Sequence, residues 1–129
     1  MRDILFRVWD KNEKLMYDAI VIQRNEFVGV PVVGGDGWEL SKRKMQDVEL
    51  MQSTGLKDKN GVLIYEGDIV KYTKHEGYIL EDFVGDFRYI QFGYMIKTPT
   101  FWVELSRIDE LKKDLLGHLE IIGNIYESN

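Results

Sequence analysis

The feature that most constrains this chain is its punctuation. Apolar or alternating stretches of strand length are cut by turn residues at intervals of about 8 to 12 residues, the spacing of small β-sandwiches and barrels. Candidate strands run over Ile4 to Trp9, Leu15 to Ile22, Glu26 to Val33, Asp47 to Gln52, Val62 to Tyr65, Asp68 to Thr73, Tyr78 to Val84, Phe87 to Phe92, Thr100 to Leu105 and Leu119 to Tyr126. Asn60-Gly61 tolerates positive φ and suits a tight hairpin turn. Asp10-Lys11-Asn12 is a second polar break, and Gly34-Gly35-Asp36-Gly37 reads as a loop before Trp38. One short helix is predicted over Arg107 to Leu116, capped by Ser106 with Asp109 three residues on, and stopped by Gly117. Its apolar face would be Ile108, Leu111 and Leu115, and at about ten residues it must pack on the sheet to persist. The fold class expected is a mainly β, barrel-like or sandwich-like domain.

The chain has 129 residues, with Pro at Pro31 and Pro99 and no tract long enough to separate two cores. At roughly 100 to 200 residues per domain, one domain over residues 1–129 is the expectation. Sixteen aromatics (6 Phe, 3 Trp, 7 Tyr) supply a real core. The sequence contains no cysteine, which removes disulfides, a thiol nucleophile and a Cys-ligated zinc from consideration and points to a reducing compartment. Arg2, Asp3 and Arg7 interrupt the apolar stretch that a signal peptide would need. No apolar run approaches the roughly 18 residues of a membrane span, so an intracellular soluble protein without membrane contact is expected. Seventeen Lys and Arg against 22 Asp and Glu give a net charge of −5, which opposes general nucleic-acid coating.

The common chemistries find little support. No G-x-S-x-G is present, and the two histidines, His75 and His118, read as surface or turn residues. The absence of H-E-x-x-H excludes a zincin, and no Gly-Lys-Ser/Thr follows the glycines at 34, 35 and 37 to make a phosphate loop. Aligning Gly61 with the sixth position of a calcium loop leaves Leu56 and Gly67 at the first and twelfth positions, where the strongest ligands belong. Asp58, Glu66 and Asp68 could gather as a general acid-base or magnesium cluster, with His75 as a further titratable group. Gly67 between the last two carboxylates argues for a turn instead. No cofactor, metal or catalytic residue is therefore assigned.

Half of the aromatics, 8 of 16, fall between Tyr78 and Trp102. Core packing with some spill onto a protein interface is favoured, and the candidate interaction surface is Tyr78, Phe83, Phe87, Tyr89, Phe92 and Tyr94. A base-stacking face is the alternative, with Lys42, Arg43, Lys44, Arg88 and Lys97 as nucleic-acid contacts. Lys42-Arg43-Lys44, the one dense basic spot, otherwise reads as a solvated loop.

Residues 51 to 70, MQSTGLKDKNGVLIYEGDIV, resemble the signature segment of the YopX family of phage and prophage proteins. The start, FRVWDKNEKLM, is similar to that family's opening, and the end, IIGNIYESN, to its closing I-G-N-I-Y-E-N, with Ser128-Asn129 where Asn-Pro is common. The resemblance implies a mainly β protein of bacteriophage genomes, acting in the bacterial host cytoplasm, with no catalytic residue set to carry over. The shared residues look architectural. Gly55, Gly61 and Gly67 suit turns, Gly123-Asn124 a bend, and Ile64, Ile69, Val70, Ile121 and Ile125 strand cores. Tyr65 to Val70 has the form of an entry into a small SH3-like barrel. Three function classes follow in order: a non-enzymatic accessory protein binding a host or phage protein or assembling as a homo-oligomer; a nucleic-acid-associated phage protein; and an enzyme using the carboxylate cluster.

Overall fold

Alternation of more and less buried side chains, clearest over Leu40–Lys44 and Asp68–Tyr72, marks strands with one face turned to a core. The computed structural model describes residues 4–24, 26–32, 39–77, 81–90, 93–104 and 115–127, Ile90 by its backbone. These residues form a mainly β protein with a curled, half-barrel sheet and no long helix. They fall into two compact units, Met1–Ser53 and Thr54–Asn129.

In the first unit, β1 (Phe6–Asp10) pairs antiparallel with β2 (Leu15–Ala19) on one side. On the other it pairs with the start of β6 (Val48–Lys57). A second sheet joins β3 (Val21–Gln23), β4 (Phe27–Pro31) and β5 (Leu40–Lys44) in that order. Val8, Val28, Val30 and Val48 are buried together, with Tyr17, Ala19, Ile22 and Met45 packed against them. Four valines suit this core because β-branched side chains fit the pleat of a half-buried strand.

In the second unit, the rest of β6 carries β7 (Leu63–Tyr65). A five-stranded antiparallel sheet follows in the order β11 (Trp102–Glu104), β10 (Gly93–Lys97), β9 (Phe83–Ile90), β8 (Asp68–Tyr72) and β12 (Leu119–Asn124). Its inner face buries Val70, Tyr72, Phe83, Phe87, Ile96 and Leu119, with Ile64 and Leu115 completing the core. At Gly85 the neighbouring strand leaves no room for a side chain. A Cβ there would stand 2.6 Å from the Lys97 carbonyl oxygen and 2.7 Å from Ile96 Cγ2, closer than any side chain can come.

Asn60-Gly61 lies in the turn between β6 and β7, as the sequence predicts. The Gly61 N–H donates to the Asp58 carbonyl at 3.0 Å, and Gly61 has φ of +79°. Several expectations differ from the structure, among them the strand expected over Asp47 to Gln52, which runs on to Lys57 and takes in Gly55, expected in a turn. Leu15 to Ile22 is two strands, broken where Ile20 donates its N–H to the Gly29 carbonyl at 2.9 Å. Lys42-Arg43-Lys44 is strand, because each residue pairs across to β4. The chain does not turn at Gly85-Asp86 but runs through it as one strand, and β10 arises where no strand was expected. The Gly34 to Gly37 loop lies outside the described residues. So do residues 107–114 of the expected helix, of which Leu115 and Leu116 are described with helical backbone.

Candidate functional site

Two of the carboxylates that suggested a catalytic cluster, Asp58 and Asp68, are engaged in turns. Asp58 is 6% exposed, and its Oδ1 accepts the N–H groups of Asn60 and Val62 while Oδ2 accepts that of Ile121 at 3.1 Å. Asp68 is buried, and its Oδ2 accepts the Tyr65 N–H at 2.8 Å. Asn124 closes the last turn by accepting from Tyr126 and Glu127. The middle and final sequence signatures meet here: Asp68 pairs across to Asn124, and Ile125 donates its N–H to the Gly67 carbonyl at 2.9 Å. Each acidic side chain replaces a backbone partner that a tight turn cannot supply. Among the described residues, no group of three or more His, Asp and Glu side chains converges as a metal site would require. His75 and His118 stack on each other, rings 3.5 Å apart and 4° from parallel, and each ring stands steeply inclined to that of Tyr72. The sequence carries no sign of that pairing.

The expected aromatic surface divides. Phe83 and Phe87 are 6% and 1% exposed and belong to the core, a correction that follows from strand alternation: with Gly85 they take the inward positions of β9. Tyr89 is exposed and packs edge-on against Tyr94 at 5.0 Å. Tyr78 and Phe92 lie outside the described residues.

The basic candidates also separate. Lys42, Arg43 and Lys44 lie on β5 in the first unit, where Arg43 is enclosed in a network. Its Nε donates to Asp10 Oδ2 at 2.7 Å, Nη2 to Glu13 Oε1 at 2.9 Å, and Nη1 to Ser41 Oγ, with the guanidinium over the Tyr17 ring. Asp10 is 2% exposed, and its other oxygen accepts the Asn12 and Glu13 N–H groups. Burial pushes the Asp10 carboxyl up, but the hydrogen bonds from Glu13, Arg43 and Asn12 and the Arg43 charge outweigh it, leaving Asp10 below its ordinary value. Arg43 is correspondingly raised, first by its bond to Asp10.

Arg88 and Lys97, by contrast, converge in the second unit. On the outer face of its sheet, Trp102, Lys97, Asp86 and Ile69 stand in one cross-strand row. Lys97 Nζ lies 5.4 Å and Arg88 Cζ 5.8 Å from the Trp102 ring centroid, within cation–π range. Asp86 takes Arg88 Nε at 2.6 Å. Beside this row an open depression of about 290 Å³ is lined by Ile69, Val84, Pro99 and Ile125, with Asp86 and Lys97 at its polar side. Val84, Trp102 and Ile125 are 44%, 44% and 48% exposed. The Pro99 turn is fixed by Thr98, whose hydroxyl donates to the Phe101 carbonyl and accepts the Phe101 N–H. A smaller depression of about 140 Å³ in the first unit is lined by Val21, Phe27, Leu40 and Lys42. The sequence signals for the outer face were partial: Trp102, Arg88 and Lys97 stood out by type, while Ile69 and Ile125 were expected in strand cores and Ile125 is instead 48% exposed.

The geometry defines a mainly β protein whose acidic signature residues build turns and whose second unit presents an apolar, aromatic and basic sheet face. The chain belongs to the YopX family, whose model, described as YopX protein, matches residues 5–129. It is similar to protein EF1440 from Enterococcus faecalis, known from a crystal structure, at 28% sequence identity and a TM-score of 0.64, covering 98% of this chain and 96% of that one. No curated protein matches the chain.

Proposed function

We propose that this chain is a non-enzymatic accessory protein of phage or prophage origin that binds a host or phage protein in the bacterial cytoplasm through the outer face of its second-unit sheet. The observation that carries the reading is the depression at Ile69, Val84, Pro99 and Ile125 with exposed Trp102 alongside. Its volume of about 290 Å³ sits at the floor of the roughly 300–1,000 Å³ found for small-molecule sites, and it is open, which suits an anchoring side chain better than an enclosed substrate. Apolar area ringed by polar groups is the usual make-up of a protein interface. Asp58 and Asp68, which an enzyme would need free, are engaged with main-chain amides.

The reading is tested by affinity purification of the full chain from host cells followed by mass spectrometry, comparing the native protein with Val84→Asp and Ile125→Asp. A partner retained by the native chain and lost from both variants, with melting temperatures unchanged, supports it; retention by both variants refutes it. The placement of Arg88 and Lys97 against Trp102 favours a second reading, single-stranded nucleic-acid stacking. Counterion release would then make affinity fall steeply with salt. We expect negligible binding of labelled oligothymidylate at physiological salt, measured by fluorescence anisotropy.

A further inference from the structure

One lysine lines the depression and a second stands across from Val84 in its wall, and neither has a carboxylate to itself. Lys97 lines it and rests on Trp102. Lys71 stands directly across from Val84. The acidic neighbours of both are committed elsewhere: Asp86, across from Lys97, holds Arg88, and Glu120, across from Lys71, holds Lys59 at 3.5 Å. In a chain of net charge −5, this face therefore carries two cations without an ion-pair partner among the described residues, Lys97 lining the hollow and Lys71 across from Val84 in its wall.

Resting on the docking face proposed above, we propose that its occupant is an extended acidic segment of a partner protein, with the pattern acidic–x–apolar–x–acidic. The spacing comes from the register. Lys71 pairs with Val84, Val84 is two residues from Asp86, and Asp86 pairs with Lys97. Two strand spacings across and two residues along separate the lysines by about 12 Å, which an extended peptide covers in about four residue steps. Residues i, i+2 and i+4 of such a peptide all point to one side. The middle one enters the hollow between Ile69, Val84, Pro99 and Ile125, and the outer two bring carboxylates to Lys71 and Lys97. Trp102 supplies a flat apolar flank that shields the Lys97 contact from water and strengthens it. The overall negative charge gives no long-range steering toward an acidic partner, but beyond about 8 Å that field is screened at physiological salt. The two lysines act inside that distance.

The test is fluorescence anisotropy of the full chain with labelled decapeptides whose cores are Glu-Ser-Leu-Ser-Glu, Gln-Ser-Leu-Ser-Gln and Glu-Ser-Ser-Ser-Glu. The first is expected to bind at least tenfold tighter than either of the others. Lys71→Gln with Lys97→Gln should remove the preference for Glu over Gln, and Val84→Asp should abolish binding of all three. Both lysine side chains lie on the outer face, so the double variant decides the matter even where Val84→Asp fails to fold. Equal binding of the Glu and Gln peptides, lost in Val84→Asp, overturns the acidic inference and leaves the docking face standing. Binding of none of the peptides overturns the inference, while the docking face is judged separately by partner retention. Tight, salt-sensitive binding of oligothymidylate that disappears in the lysine double variant overturns both in favour of nucleic acid.

Discussion

Asp10 and Arg43 show how a single pair can look functional in sequence and be structural in the fold. The basic run at Arg43 suggested phosphate contacts, yet its guanidinium is divided among Asp10, Glu13 and Ser41. Arg43→Ala leaves a buried carboxylate without its cation and is expected to cost on the order of 3 kcal/mol, read from chemical denaturation. The pH dependence has a definite sign. Asp10 lies below its ordinary value near 3.8 in the folded chain, so its contribution is present above that value and is lost as pH falls through the lower folded value. Melting temperature followed from pH 6 to pH 2 should therefore drop less in Asp10→Asn, relative to its own neutral-pH value, than in the native chain. Gly61 gives an independent check on the signature turn. Nothing lies within 4 Å of a Cβ built there, but φ is +79°. Gly61→Val should accordingly destabilise by about 1 kcal/mol or more through backbone strain, and unchanged thermal stability would contradict the turn assignment.

Among the elements, those with alternation and a flanking turn were legible: Phe6–Asp10, Phe27–Pro31, Leu63–Tyr65, Asp68–Tyr72 and Leu119–Asn124 all fall within or close to their predicted spans. The failures have physical causes. Strand β5 is masked by its charge, since Lys42 and Lys44 turn outward and Arg43 finds its partners through the side chain rather than through burial. Strand β9 contains Gly85-Asp86, a pair that reads as a turn when local sequence is all there is. Gly85 is instead required by a long-range approach, 2.6 Å between a would-be Cβ and the Lys97 oxygen, which no window of local sequence contains. Gly85→Ala is thus expected to cost about 1 to 3 kcal/mol by overpacking. Urea denaturation measures it, and a neutral result would contradict the close approach of β10 to Gly85.

For the molecule as a whole, the family and the fold class were legible in the sequence, whereas which aromatics face the core was not: Phe83 and Phe87 are buried, and Tyr89 is exposed. Aromatic density drew attention to Phe83 and Phe87, whereas the candidate face is made by the residues between them and across from them. The information was present as alternation along β9 and became usable once register fixed which residues on β8 and β10 stand beside Val84 and Asp86. Docking of a protein on this outer face is tested by replacing Trp102 with the photocrosslinker benzoylphenylalanine, and Ile20, exposed in the first unit, in a parallel control. Both full-length variants are irradiated in host cells, and adducts are identified by mass spectrometry. A protein adduct from position 102 is expected that is absent from position 20 and disappears when Val84→Asp is added; adducts from position 20 alone, or nucleic-acid adducts from position 102, would contradict docking through this face.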